Sequence, residues 1–243
     1  MSTRLEMGDG VCAAFTDRYG GVSAPPYDEL NLGAGTGDDP AAVAENRRRA
    51  ARALDLDPAK VVWMRQVHSA RVAVVDAPFD DTPPALDAVV TTVPRLALAV
   101  LVADCAPVLC ADPVARVVGV AHAGCEGLAA GVVSALVERM RDLGARPGRI
   151  IAAVGPAVCG GCYEVPRDMQ EDVARTVPSA RCTTARGGPG LDIRGGIRAQ
   201  LREGGVERVH RDARCTMESS EVYSHRRDGP RTGRIAGYAW LRG

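Results

Sequence analysis

The chain carries no net charge. Its 243 residues hold 30 Lys and Arg against 30 Asp and Glu, which gives a formal charge of zero at pH 7. No acidic or basic excess marks a surface made for nucleic acid or a charged membrane. Short clusters such as RRRAAR read as solvated faces. Long apolar runs are missing too: none reaches the ~18 residues of a membrane span. The opening MSTRLEMGDGVCAAF has no apolar signal-peptide core. The expectation is a cytoplasmic chain with neither nucleic acid nor membrane as partner, whose eight Cys are reduced thiols. Histidine is scarce, with four in all, so any metal centre has few imidazoles to draw on. Repeats and low-complexity linkers are absent, and the turn-rich stretches PFDDTPPAL and ARGGPG are too short to divide the chain. Residues 1–243 therefore read as one domain, long enough to bury a sizeable core.

Val- and Ile-rich runs are plentiful. VVWMRQVH, RVAVVD, DAVVTTV, LALAVLVAD, PVLCAD, RVVGVAH, RIIAAVG and the closing RIAGYAWLR read as strands. In EGLAAGVVSALVERMRDLG the apolar residues 128, 132, 133, 136, 137, 140 and 143 share one helical face, ended by Gly144. DDPAAVAENRRRAARAL begins with Asp39 as N-cap and Pro40 in the first turn. PRDMQEDVARTV and GGIRAQLREGG read as further helices. Strands come in runs of two or three before each helix, which points to the α+β class. The expected core is a mixed or largely antiparallel sheet with helices outside it, not a strictly alternating βαβ fold.

The chemistry concentrates in LVADCAPVLCADPVARVVGVAHAGC, Leu101 to Cys125. A hairpin centred between Pro113 and Val114 places Cys105 opposite His122, where Cβ atoms lie ~4.5–5.5 Å apart. A thiolate and an imidazole so placed can share a metal, since Zn–S is ~2.3 Å and Zn–N ~2.0–2.1 Å. Pro107 cannot donate to a ladder and warns of a bulge. His68, in QVHS, ends another apolar run, whereas His210 and His225 lie among arginines. His68, Cys105 and His122 would make a His₂Cys site with an open fourth position, the catalytic type of zinc site. A buried cysteine beside two hydrogen-bonded histidines is the alternative.

Arg47 falls on the apolar stripe Val43, Ala50, Leu54 of the first helix. It wants a buried anion or a cleft, unless it snorkels to solvent. Arg226 and Arg227 either bind an anion or form loop salt bridges. Asp104 either orients a metal ligand or caps a strand end. Cys159 and Cys162 form a CxxC. No second pair adjoins it in sequence and Gly160–Gly161 opposes a thioredoxin-like helix, so packing cysteines are expected.

QVHS, ADCAPVL, AHAG with EG after it, GPAVCGGCYEV and CT…YSHRRDGPRTGR together resemble the YfiH/LACC1 family. FTDRYGGVS and LNLGAGTGDDPAAVAENRRR extend the match to the N-terminal portion, and the motifs keep the family's order over nearly the whole chain. Family members have been described as multicopper polyphenol oxidases, laccase-domain proteins, purine nucleoside phosphorylases and peptidoglycan editing factors. The resemblance implies a catalytic zinc on His68, Cys105 and His122. It implies a central pair of packed mixed β-sheets flanked by helices, related to toxin cysteine hydrolases. It implies phosphorolysis of adenosine, inosine, guanosine and methylthioadenosine, with adenosine deamination beside it. Arg47 matches the arginine of the family's NR pair, which favours a role toward phosphate or substrate. One departure stands out: Cys125 replaces a tryptophan. Either the pocket is wider, another residue fills it, or Cys125 adds a soft ligand. Asp17 in FTDR is a milder departure.

Zinc lowers the pKa of water toward ~7, which suits hydrolytic attack on C6 of adenine. Phosphorolysis also needs an anion site, to which the arginine fork is suited. Copper is an alternative metal, since it outranks zinc in intrinsic affinity. Four histidines do not furnish a blue-copper plus trinuclear oxidase. A metal-free cysteine hydrolase, with Cys105 as nucleophile and His122 as base, would use the same pairing. A role in editing cell-wall precursors is a further alternative. The reading favoured is a zinc-dependent purine nucleoside phosphorylase with adenosine deaminase activity, acting on purine nucleosides and phosphate.

Overall fold

The structure is a computed structural model that describes residues 2–80 and 82–243. The chain runs through β1 (Ser2–Glu6), β2 (Val11–Thr16), α1 (Pro40–Ala53), β3 (Val61–Val62), β4 (Val72–Val74) and β5 (Ala88–Thr91). It continues through β6 (Ala97–Val102), β7 (Ala106–Asp112), β8 (Val117–Ala123), α2 (Cys125–Ala129), α3 (Val132–Asp142) and β9 (Ile151–Val154). It ends with α4 (Arg167–Thr176), β10 (Arg181–Thr183), β11 (Pro189–Leu191), α5 (Ile193–Glu203), β12 (Arg208–Arg211), α6 (His225–Asp228) and β13 (Ile235–Leu241).

Two mixed sheets carry the fold. One has the order β1-β2-β13-β6-β3, the other β12-β9-β7-β8-β5-β4. Three neighbouring pairs, β3–β6, β4–β5 and β9–β12, are parallel, and the rest are antiparallel. The sheets meet face to face through Phe15, Leu98, Leu109, Val120 and Ile235. A Cβ at Gly237 would lie 3.1 Å from both Leu109 and Phe15, so glycine there permits close contact between the sheets. The outer face of the first sheet packs Tyr238 and Ala99 against Ala50 of α1 and Leu54 at its C-cap. The outer face of the second packs Val108 and Ala121 against Leu136 and Met140 of α3 and Ile197 of α5. Both faces of β7 and β8 are thus covered, which is why these strands are buried throughout and mostly apolar instead of alternating. This is the α+β sandwich with outer helices expected from the sequence. Among the described residues, no helix is long and apolar enough to cross a membrane.

Local signals behave as their chemistry demands. Asp39 caps α1, its carboxylate accepting from Ala41 N at 2.9 Å, with Pro40 in the first turn. The helix expected across 126–143 instead breaks in two at Gly131, whose φ of +84° suits glycine and starts α3 afresh. The expected strand VVWMRQVH is a strand only over Val61–Val62. Beyond it the backbone is captured by a buried carboxylate, described below.

Candidate active site

The hairpin of β7 and β8 differs in register from the sequence expectation. Its loop is Pro113–Arg116, because the Asp112 carboxylate accepts from the amides of both Val114 and Ala115 at 3.0 Å and draws them into the turn. Pro107, not Cys105, therefore pairs with His122, and no bulge forms. Cys105 sits one residue before β7, and continuing the ladder sets it opposite Gly124. The two are in intimate contact: a Cβ on Gly124 would lie 2.9 Å from Cys105 Sγ and 2.7 Å from His68 Cδ2. A larger residue at 124 would occupy the space between the two side chains.

The three expected side chains do converge. One ligand atom from each of His68, Cys105 and His122 lies within 4.8 Å of the others. His68 Nε2 is 3.7 Å from Cys105 Sγ, and the two imidazoles stand edge to face with centroids 4.7 Å apart. His122 is buried near the end of β8, whereas His68 is exposed. The triad thus has an inner wall and an open side. His210 and His225 lie outside the cluster.

Asp87 holds this arrangement, and its importance is not evident from the sequence. The carboxylate is fully buried, one residue before β5. It accepts from three consecutive amides, Val67 at 3.1 Å, His68 at 2.9 Å and Ser69 at 2.7 Å, and from the Ser69 hydroxyl at 2.8 Å. It also accepts from His122 Nδ1 at 2.8 Å. Burial alone would raise its pKa, but the bonds from His122 and Ser69 outweigh burial and hold it well below the ordinary carboxylate range. An ionised carboxylate only accepts, so Nδ1 of His122 carries the proton and Nε2 keeps its lone pair for the site. The three amides bend QVHS out of the strand and bring His68 to φ +59°. That conformation costs ~1–2 kcal/mol in a non-glycine residue, which bonds to a charged acceptor can offset.

Burial pushes the Cys105 thiol up to about 12, with Cys125 and Asp104 adding to the rise and Arg234 opposing it. Burial lowers the His122 pKa, with Asp87 opposing. His122 is therefore neutral at pH 7, the form that ligates a metal. An oriented neutral imidazole, a second imidazole and a thiol within reach suit Zn²⁺ or Cu²⁺, and hard oxygen-seeking cations poorly.

Asp104 adopts φ +88° and accepts from Thr216 Oγ1 at 2.6 Å, Ser224 Oγ at 2.7 Å and Arg226 N at 2.6 Å. It ties the C-terminal motif to the residue preceding Cys105 and neither orients a ligand side chain nor merely caps a strand. Arg227 lies in the short helix α6, paired with Asp228 and bonded to the carbonyls of Thr216, Ser219 and Val222. Arg226 is exposed and stacks 5.1 Å from the Tyr163 ring centroid. The Tyr163 hydroxyl reaches Cys125 Sγ at 3.5 Å. Cys125, at the start of α2, lies outside the His68–Cys105–His122 cluster, and an aromatic ring from a distant segment stands beside it.

Arg47 lies on the far side of the first sheet. Its Nε donates to Leu32 O at 2.9 Å and its guanidinium stacks 3.9 Å from the Trp63 centroid. Burial lowers its pKa, and its recorded contacts reach none of the three triad residues. Arg234 is the arginine whose charge is felt at Cys105 and Asp104. It is half-buried; its guanidinium donates to Thr232 O and Gly233 O and makes no ion pair among the described residues, and its backbone amide donates to Asn31 Oδ1 at 2.9 Å. The backbone links the two arginines, since Leu32 N donates to Arg234 O at 3.0 Å. Arg234 closes the motif RTGR, but nothing in the local pattern distinguishes it from its neighbours.

Residues 12–242 match the family model described as multi-copper polyphenol oxidoreductase laccase. The chain belongs to this family. A purine nucleoside phosphorylase of Streptomyces griseus is 62% identical over 230 residues, covering 94% of this chain and 93% of that protein. Another, from Streptomyces coelicolor, is 57% identical over 234 residues, covering 96% of each. The crystal structure of the Bacillus licheniformis hypothetical protein YfiH superposes with a TM-score of 0.89 at 34% identity, covering 96% of this chain and 93% of that one. The fold and the YfiH family membership expected from the sequence are both shown.

Proposed function

We propose that the chain is a zinc-dependent purine nucleoside phosphorylase with adenosine deaminase activity, its metal held by His68, Cys105 and His122. The observation that carries this reading is the convergence of those three side chains around a His122 whose other ring nitrogen is bound by Asp87. The relatives named purine nucleoside phosphorylase supply the substrate class. Zinc in this site would act as a Lewis acid toward water or substrate oxygen.

In phosphorolysis a phosphate oxygen bonds to C1′ of the ribose, the C1′–N9 bond breaks, and the base leaves with its bonding pair and takes up a proton. The dianionic nucleophile needs cations beside it. Arg234, with no carboxylate partner among the described residues and with its charge felt at Cys105, is the proposed phosphate-side charge, with Arg226 as a second cation. Arg47 acts from behind, holding Leu32, whose amide in turn holds Arg234. Tyr163, half-buried and beside Cys125, is the proposed aromatic face for the purine. One metal with two imidazole ligands fits this role, and four histidines dispersed over the chain do not fit a set of several coppers.

The test is chelation followed by restoration. Metal-free protein should lose both activities and recover them on adding zinc, while the His68→Ala variant should not recover. Full activity after metal removal would support the thiol-hydrolase alternative and reject the metal.

A further inference from the structure

The fold brings a second group of soft donors together, away from the triad. Cys159 and Cys162 lie on the turn after β9, and Cys215 and Glu218 on the segment after β12. One ligand atom from each of the four lies within 4.8 Å of the others. The wide sequence separation of Cys215 from the CxxC is cancelled by a parallel bridge between Ala157 and Cys215, in which Thr216 N donates to Ala157 O at 3.3 Å. We propose that Cys159, Cys162, Cys215 and Glu218 form a structural zinc site.

Six features support it. Three thiolates and one carboxylate make a closed four-ligand set, the structural type of zinc site, and soft sulfur excludes Mg²⁺ and Ca²⁺. In a tetrahedron with Zn–S of ~2.3 Å the sulfurs stand ~3.8 Å apart, so the cluster needs to contract by no more than about 1 Å. The turn is shaped for it: Cys159 O accepts from the amides of both Cys162 and Tyr163, which folds the two Cys of CGGC toward the same side. Cys215 Sγ already receives backbone N–H donation from Cys159 at 3.3 Å. Amide donors to sulfur stabilise a thiolate. The bound site would carry net negative charge, and Arg227 stands over it, its guanidinium donating to Thr216 O and Ser219 O at 2.7 Å on the loop that bears Cys215 and Glu218. Glu218 is exposed and Cys159 and Cys162 are half-buried, so an ion has a way in. On binding, each thiol gives up its proton to solvent.

The site joins two loops that flank the triad. Tyr163 follows Cys162 directly, and Thr216, which holds Asp104, follows Cys215. Zinc here would fix both the Tyr163 wall and the anchor of the residue before Cys105.

The test is zinc stoichiometry together with cobalt spectroscopy, using His68→Ala to remove the first metal. Wild type should bind two zinc ions per chain, His68→Ala one, and His68→Ala with Cys215→Ser none. Cobalt-loaded His68→Ala should show strong thiolate-to-cobalt charge transfer that the double variant lacks. Zinc should raise the melting temperature of His68→Ala but not of the double variant. Glu218→Gln, at an exposed position, keeps the fold even where Cys215→Ser does not. In the His68→Ala background it should weaken zinc binding at least tenfold. Retention of the second metal by Cys215→Ser, or unchanged affinity in Glu218→Gln, would overturn the four-ligand site. Wild type prepared anaerobically without reductant should titrate all eight thiols after denaturation. Two fewer would indicate a disulfide and overturn the proposal.

Discussion

Asp87→Asn should weaken both the fold and the metal site, by amounts that follow from the hydrogen bonds. The amide keeps the shape of the carboxylate but loses its charge, and one acceptor becomes an NH₂ donor. If the NH₂ takes the place of Oδ2, the Ser69 amide faces a donor; if it replaces Oδ1, the His68 amide and His122 Nδ1 do. Either orientation leaves at least one buried backbone amide unsatisfied, at ~1–3 kcal/mol. The remaining bonds lose charge assistance, which roughly halves each. The sum is about 3–5 kcal/mol, a large part of the ~5–15 kcal/mol that holds a domain folded. At ~2–4 °C per kcal/mol for this size, the melting temperature should fall by about 6–20 °C. His122 also loses the partner that fixes its tautomer, which costs about 10–100-fold in metal affinity. Thermal melting of the metal-free protein and zinc titration against a competing chelator read the two effects separately. A variant that melts and binds zinc like wild type would refute the claim that Asp87 organises the site.

Gly124→Ala separates the site from the fold. Gly124 has φ −84° and ψ 178°, which alanine adopts freely, but its Cβ would sit within 3 Å of Cys105 Sγ and His68 Cδ2. Zinc affinity should fall at least tenfold with a melting change under ~1 kcal/mol, and unchanged affinity would show that the two side chains are free to part. Arg47→Lys keeps charge but loses the Nε donor and the flat stack on Trp63, so it should cost about 1–3 kcal/mol of stability. If Arg47 acts through Leu32 and Arg234, phosphorolysis should fall more than deamination; equal loss in both assigns it to nucleoside binding or to the fold. Asp112, fully buried, has its pKa lowered: burial opposes, but the amides of Ala115 and Arg146 and the Arg149 side chain prevail. Its folded pKa lies below its unfolded value of ~3.9, so its stabilisation is complete above that pH and is lost as pH falls through the lower folded value. Asp112→Asn should therefore destabilise at pH 7 and converge on wild type in acid; a constant difference in melting down to pH 2 would contradict this.

The central strands were legible because they are covered on both faces and therefore write themselves as apolar runs; the largely exposed edge strands β1 and β12 do not. The first helix was legible because Asp39 and Pro40 are local start signals. The triad was identifiable by residue type, since His68, Cys105 and His122 each end an apolar run. Its hairpin register was not, because the Asp112 carboxylate, acting through two turn amides, decides the loop length. VVWMRQVH carries β residues throughout, yet Asp87, close to 20 residues later, takes three of its amides and bends the chain away. Gly131 looked like one more small residue on a helical face and proved to be a break. Arg47 fell on the apolar stripe as expected, but a stripe says that a side chain is inward, not which cavity it reaches. Asp87, Arg234 and Tyr163 act across long sequence separations, and no local spacing marks them. Cys215 was set aside as a partner of the CxxC because it lies far from it in sequence, yet a single bridge between distant loops brings it there.

The most direct test follows the products of adenosine with and without inorganic phosphate. The account predicts ribose 1-phosphate and adenine only when phosphate is present, inosine in either case, and none of the three from His68→Ala. Absence of phosphate-dependent ribose 1-phosphate from wild type would contradict phosphorolysis, and inosine alone would leave a deaminase.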